Sequence, residues 1–302
     1  MKINLPSYTQ HYGLSPIKTQ EDAYKYNFSF VHDVDADYSI YWGLPTTKLH
    51  MHKKFGVMES GFFWDGMFID TVGSYQNSSL NTKMGYDAVK NFKLGSRKSA
   101  KEIIFSKPIN QQSKYNAVHG TPEQFSQKIV LACQNHKDRS IGYPHNQDKY
   151  YEFIESCCKY YGKDLFVKLH PWNTNENADF YLYTAKKYNC SINKCHMGLL
   201  KNAEFVISFN STIAIDCVLM DVPYYQYAMG TFWNAFGVNF TGYKLPKKIK
   251  PVKDAHKLAD FLIYKYCYSK KMSQDKYANM LRHFARSSEI FPMTKEFCYA
   301  EN

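Results

Sequence analysis

Three short polar clusters in the second half of the chain carry the side chains best suited to chemistry. They are QNHKDRS at 134–140, KLHPWN at 168–173 and SFNST at 208–212. Each follows a short apolar, β-branched run, so each occupies the end of a buried strand. Gln134, Lys168, His170, Ser208, Asn210, Ser211 and Thr212 are mostly hydrogen-bond donors, and donors gathered at strand ends suit an anion. A mono- or diphosphate leaving group is the fitting anion, because each donor gains as negative charge develops on it. Taken singly, a Ser-Thr pair commonly caps a helix and a His-Pro commonly ends a strand. Only their joint placement argues for a site.

The elements that position these clusters alternate regularly. Strands are expected at 128–133, 165–169, 204–209 and 222–227, and helices at 147–161, 176–188 and 211–220. Residues 211 and 212 are expected to cap the last of these helices with their hydroxyls. Strand–helix alternation of this kind implies a parallel, doubly wound sheet, whose ligands sit at the carboxyl ends of the strands. The first half is less regular, with strands expected at 38–42, 55–58, 67–72 and 102–105. The polar stretch 113–127 is the expected boundary, giving domains 1–125 and 126–270 and a basic helical segment 271–302.

The bulk numbers fit a globular α/β protein. The chain has 302 residues, 44% of them hydrophobic and 22% charged, and no run of 18 apolar residues. The first residues lack the apolar core of a secretory signal. The eight cysteines form no CxxC pair, which points to reduced thiols and a cytoplasmic setting. Formal charge is +11, with lysine concentrated at 48–54, 90–101, 247–253 and 265–286. That charge fits a soluble surface, and equally a polyanionic partner such as DNA or an anionic membrane or glycan.

The runs VKLHPWN (167–173) and LLKNAEFVISFNSTIAIDCVLMDVPYYQY (199–227) resemble the donor domain of two-Rossmann (GT-B) glycosyltransferases. The likeness is strongest to the capsule-polysaccharide and Kdo-transferase group, whose His-Pro and Ser-Ser/Thr motifs bacterial sialyltransferases of that fold share. IVLACQNHKDRS (129–140) fits the same group. The likeness covers residues 128–230 well and the first half loosely.

The resemblance implies two Rossmann-like domains facing across a cleft and a nucleotide-sugar donor as substrate, with no metal and no cofactor. It assigns the donor phosphate to His170, Ser211 and Thr212, with Ser208 and Asn210 as neighbours. Asp216 stands where such enzymes commonly carry glutamate. A catalytic base is then expected from the N-terminal domain, where FGVMESGFFWDG (55–66) has the acid–glycine pattern of the group. Glu59 is the first choice and Asp65 the second. Ser74, Asn77 and Ser78 in GSYQNSS, with Lys93 and Arg97, are expected to contact the acceptor.

Two acceptors compete, a surface glycan or glycolipid and DNA bearing a hydroxymethylated pyrimidine. The charge and the small size favour DNA narrowly. A non-catalytic basic protein that reuses the scaffold is a third reading. Two apparent metal motifs carry less. Asp33, Asp35 and Asp37 lack the glycine and glutamate of a calcium loop, and His50 and His52 stand beside lysines.

Overall fold

The computed structural model describes residues 1–7, 15–31, 33, 35–43, 54–114, 128–142, 147–171, 175–194, 197–247 and 250–301. His50, His52, Trp172, Asn173 and nearly all of the expected boundary lie outside them. The chain divides into two compact units, 1–79 with 260–302, and 80–259. Those limits differ from the expected ones at both ends: the first unit is completed by residues 260–302, which the sequence reading split between the second domain and a separate tail.

The first unit holds β1 (Ile3–Asn4), α1 (Gln20–Lys25), β2 (Phe28–Ser29), β3 (Tyr38–Trp42), β4 (Phe55–Ser60) and β5 (Gly66–Asp70). The second contains α2 (Lys83–Lys90), α3 (Ala100–Phe105), β6 (Ile129–Ala132), α4 (Gln147–Tyr161), β7 (Leu165–Lys168) and α5 (Asn175–Lys187). It continues with β8 (Ser191–Asn193), β9 (Phe205–Ser208), α6 (Ala214–Leu219), β10 (Tyr224–Gln226) and β11 (Asn239–Phe240). Helix α7 (His256–Lys265) leads the chain back to β12 (Cys267–Ser269) and α8 (Gln274–Arg286).

The second unit's sheet has the order β11-β10-β9-β6-β7-β8 and is parallel throughout. Strands β6 to β8 therefore build outward on one side and β9 to β11 on the other. The order reverses between β6 and β9, and that switch point is where a doubly wound sheet opens a crevice at its carboxyl edge. Residues 129–132, 165–168 and 205–208 are buried throughout, which is why they read as nearly continuous apolar runs, two of them closed by Lys168 and Ser208, rather than alternating ones.

The first unit's sheet, β12-β5-β4-β3-β1-β2, is mixed. Its β1, β2, β3 and β4 pair in parallel, while β4–β5 and β5–β12 are antiparallel. Five residues separate β4 from β5, too few for the crossover a parallel pair needs. Gly61 makes that tight turn possible, because a Cβ there would lie 2.7 Å from the Gly66 carbonyl carbon.

Two expected elements are corrected. Residues 102–105 are helical within α3, where Ser99 and Glu102 form a reciprocal capping box. That local signal outweighs the β-branched pair Ile103-Ile104. Helix α6 begins at Ala214, behind Ile213, with no side-chain cap. The Ser211 hydroxyl instead accepts from Ile213 N at 3.2 Å, closing a turn before the helix starts.

Candidate functional site

The parallel register lines up Asn193, Lys168, Ala132, Ser208 and Gln226 as one row at the carboxyl ends of β8, β7, β6, β9 and β10. Lys168 and Ser208 flank Ala132, so their backbones lie two strand spacings apart, roughly 10 Å. His170 follows Lys168 by two residues, and Ser211 follows Ser208 by three. All three clusters thus emerge from a single edge, astride the switch point.

Gln134 and Asn210 stitch that switch point closed. Gln134 Nε2 donates to Asn210 Oδ1 at 2.9 Å, and the Asn210 backbone N–H donates back to Gln134 Oε1 at 2.9 Å. Asn210 Nδ2 also donates to the carbonyls of Ser140 and Met229. Gly230 leaves room for this, since a Cβ there would stand 2.5 Å from Asn210 Cβ. Both side chains are buried, and their polar atoms are largely spent on the fold. They shape the edge and hold the backbone of 208–211 in place. Ser208 does similar work: its hydroxyl bonds the Tyr224 hydroxyl at 2.6 Å and accepts from Ser211 N at 3.0 Å. Ser211 and Thr212 are half-buried.

Lys168 differs. Its side chain is 3% exposed, yet its one hydrogen bond among the described residues goes to the Leu169 carbonyl at 3.3 Å. An ammonium has three protons to donate, and one of them finds a hydrogen-bond acceptor here among the described residues. Its positive charge acts on His170 and Asp216, as does that of Lys114. Burial, reinforced by Lys168 and Lys114, lowers the His170 imidazole to about 3. His170 is therefore neutral at physiological pH and brings no charge to the edge. Burial pushes the Asp216 carboxyl up to about 7, against the pull of the two lysines. Asp216 also lines a small recess with Phe105, Gln112, Leu219 and Met220.

These two shifts have opposite consequences for stability. His170 binds its proton less readily folded than unfolded, so it stabilises the fold above its unfolded value and loses that contribution as pH falls from about 6.5 towards about 3. Asp216 binds its proton more readily when folded, so its contribution is lost as pH rises from about 4 to about 7. Between about 4 and 6.5 the two slopes cancel in the wild type. His170→Asn is expected to leave stability falling with pH across that window, and Asp216→Asn to leave it rising, each by up to about 1.4 kcal/mol per pH unit. Urea midpoints measured over this pH range check the signs; parallel curves for the two variants would refute them.

In the first unit, Glu59 sits within β4, half-buried. Its Oε2 accepts from the Tyr75 hydroxyl at 2.9 Å and its Oε1 from Ser60 N at 2.7 Å. Tyr75 holds φ +50, a left-handed conformation that an aromatic residue adopts only under constraint. That constraint comes from Asp70, which the sequence reading passed over. Among the described residues, Asp70 accepts from Val72 N, Gly73 N, Ser78 Oγ, Ser79 N, Ser79 Oγ and Tyr266 OH. The loop 70–79 is thus wound around one buried carboxylate, and Tyr75 points from it to Glu59. Strain of this kind collects at functional positions.

The other expected residues divide sharply. Asp65 is the turn residue, at φ +57, paired with Lys270 at 2.9 Å and Lys271 at 2.7 Å. Burial pushes its carboxyl up, but hydrogen bonds from the two lysines hold it below the usual range. A carboxylate so satisfied is a poor proton acceptor. Ser78 is committed to Asp70, and Ser74 is fully buried with no hydrogen-bond partner for its hydroxyl among the described residues. Asn77 and Lys93 are exposed. Arg97 donates to the carbonyls of Leu94 and Lys93 and covers the Phe92 ring, so it folds its own loop. Asp33 pairs with Lys2, and Asp37 accepts from Lys2 N at 2.7 Å. Among the described residues no group of three metal-ligating side chains occurs, and no helix is long and apolar enough to cross a membrane.

Thermosulfurimonas dismutans KpsC, beta Kdo 2,4 transferase, superposes with a TM-score of 0.60 at 15% identity, over 89% of this chain and 92% of that one. The chain has the fold of that transferase. A second structure, Thermosulfurimonas dismutans KpsC, beta Kdo 2,7 transferase, gives a TM-score of 0.52 at 16% identity, over 81% and 84% of the two chains. No family model and no curated protein matches. The expected two-unit α/β architecture is the one observed, with a mixed rather than wholly parallel first sheet.

Proposed function

We propose that this protein is a glycosyltransferase that moves a sugar from a nucleotide-activated donor to a hydroxyl of a surface glycan, without a metal ion. The observation that carries the reading is Lys168, a buried ammonium with donors to spare at the carboxyl edge of a doubly wound sheet, one strand from its switch point. An anionic donor supplies what it lacks. Neutral His170, two residues beyond Lys168, and the half-buried Ser211 and Thr212 complete the polar edge that would meet that group. In the first unit, Glu59 accepts the acceptor hydroxyl's proton while Tyr75 holds one of its oxygens, and general-base help of this kind is worth about 10²–10⁴-fold.

The fold shared with two Kdo transferases supports a glycan acceptor over DNA. So does the state of the basic segments. Arg97 is spent on its own loop, Arg282 donates to the Tyr26 carbonyl and covers Tyr26 and Phe28, and Lys101 pairs with Asp221. The charge of +11 and the small size of the chain are what favour DNA.

The site is tested by thermal stabilisation with a panel of nucleoside mono- and diphosphates and their sugar conjugates. At least one is expected to raise the unfolding temperature. Lys168→Met is expected to weaken that ligand about tenfold to a hundredfold, the worth of a charged hydrogen bond. Unchanged affinity in Lys168→Met would remove Lys168 from the site.

A further inference from the structure

Cys158 and Cys190 lie outside the site described above, and nothing in the proposed chemistry uses them. Cys158 is on the buried face of α4, among Ile154 and Cys157. Cys190 follows α5 at a turn made by Asn189, whose φ is +57, and its backbone N–H donates to the Ala185 carbonyl at 2.8 Å. That turn sets the Cys190 thiol against α4. Its Sγ lies 3.6 Å from the Cys158 carbonyl and 3.8 Å from that of Tyr188, and the two thiols are within hydrogen-bonding reach of each other.

The two sulfurs are unequal. Cys158 is fully buried, whereas Cys190 is partly exposed. The hydrogen bond with Cys158 lowers the Cys190 thiol below its usual value, and the Lys128 ammonium helps against the opposing effect of burial. Cys133, Cys157, Cys158, Cys217 and Cys298 are all shifted upward. One accessible sulfur beside one buried sulfur is the arrangement of an attacking and a resolving thiol.

We propose that Cys158 and Cys190 form a reversible dithiol–disulfide pair, closed by exchange with the disulfide of an oxidised low-molecular-weight thiol. The Cys190 thiolate attacks one sulfur of that disulfide. The S–S bond breaks, a mixed disulfide forms on Cys190, and one small thiolate leaves. The Cys158 thiol then gives up its proton and attacks the Cys190 sulfur, expelling the second small thiol. Two protein thiols are oxidised and one small disulfide is reduced to two thiols. The product ties α4 to the turn before β8, within the second unit.

The test is to incubate the folded protein with excess oxidised glutathione, alkylate the remaining thiols and map peptides without reduction. Fragmentation distinguishes Cys157 from Cys158. The expected result is a Cys158–Cys190 linked peptide that dithiothreitol releases. C158S is expected to stop at a stable glutathione adduct on Cys190, and C190S to react at least about tenfold more slowly. An adduct that persists on Cys190 in the wild type, a bond to Cys157 or Cys195, or no reaction at Cys190 would each overturn the proposal. The wild-type map decides the matter even if a variant fails to fold.

Discussion

Glu59→Gln is expected to lower turnover by about 10²–10⁴-fold while leaving the stabilisation by nucleotide unchanged. Glutamine keeps the size and one carbonyl oxygen for the Tyr75 hydroxyl, so the strand and loop survive. What it removes is the ability to take a proton. The groups proposed to bind the phosphate belong to the other unit, on β7 and after β9, so donor affinity has no reason to change. Tyr75→Phe separates positioning from chemistry: it removes the hydrogen bond to Glu59 but not the base, so a smaller fall in kcat with a shifted acidic limb of the pH profile is expected. Normal turnover in Glu59→Gln would dismiss Glu59 as the base. Asp65 would not easily replace it, because two lysines already hold its carboxylate.

Asp70→Ala is expected to cost about 3–5 kcal/mol of stability, the largest loss from any single polar substitution in the first unit. The carboxylate is 1% exposed and accepts from two hydroxyls and three backbone N–H groups of its own loop, and from Tyr266 near the end of the chain. Alanine would leave most of these donors buried and unpaired at once. Asp70→Asn, which keeps one acceptor oxygen, should fall between. Urea denaturation gives the comparison directly. A loss under about 1 kcal/mol for Asp70→Ala would mean that water replaces the carboxylate and that the loop does not depend on it.

How much of this was legible in the sequence follows from how each half is built. The second unit's strands are buried on both faces, so 129–132, 165–168 and 205–208 stand out as short apolar runs between helices. Helix α4 has the expected limits because its apolar spacing and Gly162 define both ends. The first unit resists such reading: β1 and β2 have two residues each, and their pairing rests on contacts between distant segments. The misread 102–105 segment carried its own correction in the Ser99-x-x-Glu102 capping box.

Within the candidate site, the clusters were visible because strand ends in a parallel sheet share an edge. Their division of labour was not. Gln134, Asn210 and Ser208 hold the edge together, while Lys168, first noted as one member of a cluster, carries the unspent charge. Asp70 was hidden because Tyr266, its partner from 196 residues away, marks it only in three dimensions. A carboxylate closing an apolar strand just before a Gly- and Ser-rich loop was the available signal.

The central claim is tested most directly by transfer itself. The protein is incubated with each of a panel of nucleotide sugars, with oligosaccharide acceptors in one series and hydroxymethylcytosine-containing DNA in another, and products are read by mass spectrometry. The expected result is one donor whose sugar mass appears on an oligosaccharide, with release of the nucleotide, and whose transfer Glu59→Gln abolishes. Sugar mass on the DNA alone would keep the transferase and overturn the glycan acceptor. If folded protein consumes no donor in either series, by transfer or by hydrolysis, the chain has the fold of a glycosyltransferase without its chemistry.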